Sequence, residues 1–279
     1  MATKGWLNLN GAFIEEKTPA IRADNRSFRY GDGLFETMKV ILGAIRLRDL
    51  HFTRLFHGME TLQIIMQGFI TDDIFEEEIK KTIRKNQIAG AARIRLTVYR
   101  GDGGLYDFNT TSAGYVIQAW PMSSSSLDMN VTGVKLGVYE GGKKSMDGLA
   151  NIKSNNYLLY AMGAVHAKRY NLTDCLILNT DNRICDSTIS NMFWVKDGTI
   201  FTPPLSEGCV AGVMRAHLIE SLPSQGFTVA EKTAEPDDLV DADEIFLTNA
   251  ISGLRWVSDF KGRKYGNAVA TKIFHATIS

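Results

Sequence analysis

No stretch of the 279 residues holds enough consecutive apolar side chains to span a bilayer. The opening "MATKGWLNLNGAFIEEK" lacks the charged-then-apolar order of a secretion signal, so a cytoplasmic protein is expected. Cysteine is scarce: Cys175, Cys185 and Cys209 form neither an even set nor a Cys-x-x-Cys pair. That pattern argues against a disulfide framework and a zinc site, and leaves the three thiols reduced and structural. The five histidines are scattered, with no HxxxH or HExxH spacing, so no metal is expected. The 31 basic and 31 acidic residues cancel, and no run of like charge is long enough for a nucleic-acid tail or a membrane patch. Neither nucleic acid nor membrane is expected as a partner.

Against these absences stands a hydrophobic content of 44%, sufficient for a sizeable core or for two halves. "FRYGDGLFETMKVILGAIRLR" (28–48) reads as a Gly-Asp-Gly turn, a strand, a turn at Gly43 and a return strand. In "HFTRLFHGMETLQI" the residues Phe52, Leu55, Phe56, Met59 and Leu62 recur at helical spacing. "TDDIFEEEIKKTIRKNQ" predicts a second, outer helix capped by Thr71, with Ile79 and Ile83 on its apolar side. "RIRLTVYRG" and "GYVIQAW" read as strands, and "PMSSSSLDMN" as a linker. An α+β protein with a boundary near residue 122 follows: a smaller N-terminal α/β domain over 1–122 and a larger, mostly β, barrel-like domain over 123–279.

The second half is read as the strand "VKLGVYE", the polar loop "GGKKSMDG", a helix beginning just after Lys153, the hairpins "DCLILNTDNRICD" and "NMFWVKDGTIFTPP", and more sheet in "EIFLTNA" and "RWVSDFKGRKY". Three places set polar or small residues beside a strand end or helix start. They are Lys153 in "LANIKSNNYL", Asp186 in "CDSTISN", and Gly212 ahead of the first turn at Val213 and Met214 in "GCVAGVMRAHLIESL". Each has an ordinary reading, as a solvated lysine, a turn aspartate and simple punctuation. Together they are the parts that pyridoxal 5'-phosphate requires: an amine to bond it, an anion for its ring nitrogen and a phosphate seat at a helix start.

The ordered set "LANIKSNNYL", "CDSTISNMFWVKDGTIFTPP", "GCVAGVMR" and "DEIFLTNAISGLRWV", with "RYGDGLFET" and "HFTRL" ahead of it, resembles the class IV aminotransferases, the fold-type IV pyridoxal phosphate enzymes. That group includes branched-chain aminotransferases, D-amino-acid aminotransferases and 4-amino-4-deoxychorismate lyases. The resemblance implies a Schiff base between the cofactor and Lys153, which also shuttles the proton. It implies phosphate binding by Arg54 and the backbone of Val213 and Met214, with Thr248, Asn249 and Ala250 nearby. Asp186 takes the place usually held by glutamate opposite the ring nitrogen, Ser190 lines the cofactor, Tyr157 reaches its phenolic oxygen and Val210 packs on its ring. Leu105 stands where D-amino-acid aminotransferases and many of the lyases carry a carboxylate-binding arginine, so substrate pose is expected to depend on Phe35, Tyr106 and the "RGDGG" loop. The lysine, "GVMR" and "TNA" segments look more like the lyases than the branched-chain aminotransferases, the alternatives being an amino-acid transaminase (branched-chain or D-amino acid) using 2-oxoglutarate and, behind it, a non-catalytic binding protein of the same fold. The resemblance also implies a small-molecule amine or amino-acid substrate and a homodimer.

Overall fold

The computed structural model describes residues 5–66, 68, 70–106, 113–123 and 128–278. The chain forms two compact units, one of Met1–Ser124 with Ile152–Asn156, the other of Ser125–Asn151 with Tyr157–Ser279. Part of the expected serine-rich linker, 124–127, lies outside the described residues. Among the described residues no helix is long and apolar enough to cross a membrane.

The first unit contains β1 (Trp6–Leu9), β2 (Ala12–Glu15), α1 (Arg26–Tyr30), β3 (Gly33–Ile41), β4 (Ala44–Ile45), α2 (Arg48–Thr61), α3 (Asp72–Lys85), β5 (Ala91–Tyr99) and β6 (Gly114–Pro121). Its six strands form an antiparallel sheet in the order β2-β1-β6-β5-β3-β4. The apolar face of α2 falls where the spacing puts it, burying Phe52, Leu55 and Met59. The Thr71 hydroxyl caps α3 by accepting from Ile74 N–H at 3.3 Å, and α3 turns Phe75 and Ile79 inward. Around Phe75, Phe52 stacks, Phe56 tilts and Tyr115 meets it edge-on at 5.3 Å. The predicted Gly-Asp-Gly turn has a steric cause. Gly31 closes α1 with φ of 71°, and a Cβ on Gly33 would lie 2.6 Å from the Val98 carbonyl oxygen. Asp32 between them takes Arg26 at 2.8 Å and Arg100 at 2.9 Å.

The second unit contains β7 (Val134–Lys144), α4 (Leu158–Arg169), β8 (Asp174–Asn179), β9 (Ile184–Ser187), β10 (Asn191–Lys196), β11 (Thr199–Thr202), α5 (Val213–Ser221), β12 (Thr228–Glu231), β13 (Glu244–Asn249), β14 (Gly253–Phe260), β15 (Arg263–Lys264) and α6 (Ala268–Thr277). Its strands run β12-β11-β10-β13-β14-β7-β8-β9, with β15 on β14. The strands β9 and β10 are consecutive in sequence yet five strand spacings apart in that order, about 24 Å in a flat sheet. The link from Ser187 to Asn191 reaches about 14 Å at full extension. The sheet therefore curls, and a Ser187 N–H bond to the Ser190 carbonyl at 2.7 Å closes the turn. This is the mixed α/β, barrel-like architecture that the sequence predicts. The strand β8 is buried on both faces: Leu176 and Leu178 enter one core with Trp194 and Phe260, Cys175 and Ile177 another with Tyr160.

Two local expectations differ from the structure. The polar "GGKK" is not loop but the end of β7, where Lys144 pairs with Asn179 after a register shift. The helix expected just after Lys153 begins at Leu158, because the backbone before it is already engaged. Phe35 N–H bonds to the Lys153 carbonyl at 3.0 Å and Asn155 N–H to the Gly33 carbonyl at 2.8 Å. This pairing with β3 is why Lys153, read from sequence as part of the second half, groups with the first unit.

Phe75→Ala is expected to cost about 3 to 5 kcal/mol, since its ring fills a site closed by three other rings. A urea titration checks this as a lowered midpoint at unchanged slope.

Candidate active site

In the first unit, β3 presents neighbouring residues to opposite faces. Phe35 lies beneath two cations: the Arg95 guanidinium, 3.7 Å from its ring centroid, and Lys153 Nζ at 4.5 Å. Arg95 belongs to β5, opposite Thr37, a diagonal neighbour of Phe35 on the same face. Glu36 turns the other way and is buried. Its oxygens accept from Arg54 Nε at 2.7 Å and Nη2 at 2.6 Å, and it bonds to His51 Nδ1 at 2.6 Å. Burial raises the Glu36 carboxyl, but the Arg54 charge and His51 outweigh it and hold the group down at about 2. Ionised, Glu36 can only accept, so His51 Nδ1 carries the proton of that bond. Arg54 is thereby fixed by a two-point carboxylate grip on α2. Leu105 and Tyr106 are exposed, Tyr106 to 93%.

In the second unit, Asp186 on β9 is 2% exposed. Its Oδ2 accepts from Val210 N–H at 2.9 Å, from the Tyr160 hydroxyl at 3.0 Å, and from Lys144 Nζ at 3.4 Å. Its Oδ1 is buried with no hydrogen-bond partner. The ring of Tyr160 stacks on Tyr157 at 4.4 Å, and the Tyr157 hydroxyl donates to the Thr188 carbonyl. Burial first, then the Asp186 charge, pushes the Tyr160 phenol up, so it stays a donor. The turn after Asp186 rests on the buried Asp174, which takes the hydroxyls of Ser187 at 2.9 Å and Thr188 at 2.6 Å. Ser190 accepts from Asn249 Nδ2 at 3.0 Å, while Asn249 Oδ1 receives the N–H groups of Ile251 and Ser252, which fixes the turn through Ala250.

Asn191, first residue of β10, joins this group to the start of α5. Its Nδ2 donates to the Val210 carbonyl at 2.8 Å, and a Cβ on Gly212 would fall 1.8 Å from its Oδ1. Gly212 brings no side-chain cap to α5, whose first residues Val213 and Met214 are buried. Across the ladder from Asn191 is Thr248, whose buried hydroxyl has no partner. The second unit thus gathers Tyr157, Asp186, Ser190, Val210, Val213, Met214, Thr248, Asn249 and Ala250 along one curled sheet and the helix starts beside it. Sequence reasoning missed Arg95 and Lys144. Neither carried a signal in the sequence: Arg95 reaches Phe35 through the pairing of β5 with β3, and Lys144 reaches Asp186 after a register shift between β7 and β8.

Residues 33–260 match the family model described as Amino-transferase class IV. The chain belongs to the class IV aminotransferase family and is an enzyme of that family. It is 33% identical to the aminodeoxychorismate lyase of Vibrio harveyi over 84% of this chain and 85% of that one. It is 31% identical to the aminodeoxychorismate lyase of Bacillus subtilis over 88% of this chain and 83% of that one. Its fold matches the branched-chain aminotransferase of Thermoproteus uzoniensis, solved with norvaline, at a TM-score of 0.86 and 23% identity, covering 98% of this chain and 93% of that one.

The folded value of Glu36 lies below the 4.5 of a free glutamate. Its stabilising contribution is therefore present above pH 4.5 and lost as the pH falls toward about 2. Glu36→Gln is expected to cost about 3 kcal/mol at neutral pH by leaving the partly buried Arg54 without its counter-charge. It should also flatten the acid limb of stability, which urea unfolding at stepped pH measures.

Proposed function

We propose that this chain is a pyridoxal 5'-phosphate-dependent lyase that converts 4-amino-4-deoxychorismate to 4-aminobenzoate and pyruvate. The observation that carries the reading is the pair of lyase relatives matched above 30% identity over more than four-fifths of the chain. Family membership implies the cofactor, and the residues fit it. A buried carboxylate oxygen without a partner, Asp186 Oδ1, suits a protonated ring nitrogen. The unpartnered Thr248 hydroxyl and the start of α5 suit a phosphate.

When bound, pyridoxal 5'-phosphate supplies an electron sink conjugated to the substrate nitrogen. Lys153 would hold the cofactor, and its Nζ takes the proton from the amine-bearing ring carbon of the substrate. Enolpyruvate then leaves with the bonding pair of its C–O bond, the six-membered ring becomes aromatic, and the enol settles as pyruvate. Asp186 would keep the ring nitrogen protonated. Arg54, the Val213 and Met214 amides and Thr248 would hold the phosphate, with Asn249 and Ala250 nearby; Ser190 would line the cofactor, Tyr157 would serve its phenolic oxygen and Val210 its ring. Arg95 beside Phe35 supplies the cation for a substrate carboxylate, so a leucine at 105 does not remove the grip. The chain is read as a homodimer, and the exposed Leu158, Met162 and Val165, one stripe of α4, support a covered face.

Lys153→Ala is expected to abolish turnover with the fold intact, and borohydride reduction of the wild type should label Lys153, not Lys143 or Lys144. Arg95→Leu should raise KM at least about tenfold, as loss of one charged hydrogen bond costs about 1.5 to 3 kcal/mol. The deciding assay follows 4-aminobenzoate from aminodeoxychorismate, and glutamate from L- and D-amino acids with 2-oxoglutarate. Glutamate from leucine, isoleucine or valine with no aromatic product would replace the lyase by a transaminase.

A further inference from the structure

The buried group around Asp186 holds one cation more than is needed to aim a carboxylate. Val210 N–H and the Tyr160 hydroxyl already fix Oδ2 from two directions. Lys144 adds its ammonium at 3.4 Å from the same oxygen, at a position only 9% exposed, with Nζ 5.1 Å from the Tyr160 ring centroid. A buried ammonium is costly unless it is paired, and the ion-pair partner of this one is Asp186, while the charge of the exposed Asp147 also reaches it. The other groups around the pair, Tyr160 on α4 and Tyr157 just ahead of it with Cys185 and Cys209, carry no charge that could replace it. Burial pushes the Tyr160 phenol and the Cys185 thiol well up and Cys209 to about 12.

We propose that Lys144 sets how strongly Asp186 holds a ligand proton at Oδ1: its ammonium takes up part of the carboxylate charge, so a protonated ring nitrogen is gripped less tightly than a lone carboxylate would grip it. In the cofactor-free protein the same ammonium keeps Asp186 compensated. Lys144 is a positioning residue acting through Asp186. The inference rests on the reading that Asp186 faces the ring nitrogen of pyridoxal 5'-phosphate.

A merely structural lysine would, when replaced, weaken every ligand alike. A lysine that tunes Asp186 would change the preference for a ring nitrogen. The test strips the enzyme of cofactor and measures dissociation constants by equilibrium dialysis for pyridoxal 5'-phosphate and for the analogue with carbon in place of the ring nitrogen. The variants are Lys144→Met, Lys144→Gln, Lys144→Arg and Asp186→Asn. The preference for the nitrogen ligand is expected to rise at least about tenfold in Lys144→Met and Lys144→Gln, since a charge at this range moves a pKa by about 1 to 3 units. It should change little in Lys144→Arg and collapse in Asp186→Asn. The glutamine variant carries the test if the methionine variant does not fold. An unchanged or lowered preference in the neutral variants, with Asp186→Asn collapsing as expected, overturns the role of Lys144 alone. Wild-type preference in Asp186→Asn overturns the placement of Asp186, and this inference with it.

Discussion

The short link between Ser187 and Asn191 is the constraint on which the second unit depends. It joins strands that a flat sheet would hold about 24 Å apart, so the sheet must curl. Once it curls, Asp186 before the link and Ser190 and Asn191 after it lie at one end of the same barrel-like surface. Asn191 pairs with Thr248 and bonds the Val210 carbonyl, which carries the same geometry to β13 and to the start of α5. The buried Asp174 braces the link by engaging two consecutive hydroxyls, Ser187 and Thr188. A run of hydroxyl residues that reads as an ordinary turn is in fact an internal strut.

The two units meet the cost of buried charge in different ways. In the first, Glu36 spends both oxygens on Arg54 and His51, and the arrangement is stiff because Arg54 is held at two nitrogens. In the second, Asp186 crowds three donors onto Oδ2 and leaves Oδ1 open. A carboxylate with one saturated and one open oxygen is aimed, and an aimed, dry acceptor is electrostatically stronger than a solvated one. A direct bond from the Val210 amide at 2.9 Å anchors the short Asp186 side chain to the backbone.

Much of the fold was legible because its signals are local. The helical spacing of Phe52, Leu55 and Met59, the Thr71 cap and the alternation in "RIRLTVYRG" all report on neighbours within a few residues, and each formed as read. The Gly-Asp-Gly turn was legible for the same reason, since Gly31 closes α1 with a left-handed φ of 71°, whereas Gly33 answers to the distant Val98 carbonyl. The segment after Lys153 was not. Its composition suits a helix start, but β3 offers its backbone a sheet partner, and a nonlocal hydrogen bond outweighed a local propensity. The end of β7 was misread for a related reason: a Gly-Gly-Lys-Lys stretch looks like loop until a neighbouring strand pairs with it.

What the sequence determined by itself was the family and the chemical kinds of group available: a lysine, an arginine, a carboxylate and a glycine ahead of a helix. Those are fixed by covalent identity and by spacing along the chain. Only the tertiary structure decided which oxygen of Asp186 stays open, that Arg95 shares the Phe35 ring with Lys153, and that Lys144 stands beside Asp186. These depend on strand register, and register is set by the pairing of segments 35 to 66 residues apart, or in the case of Lys153 by more than a hundred, over which the sequence carries no periodicity to read.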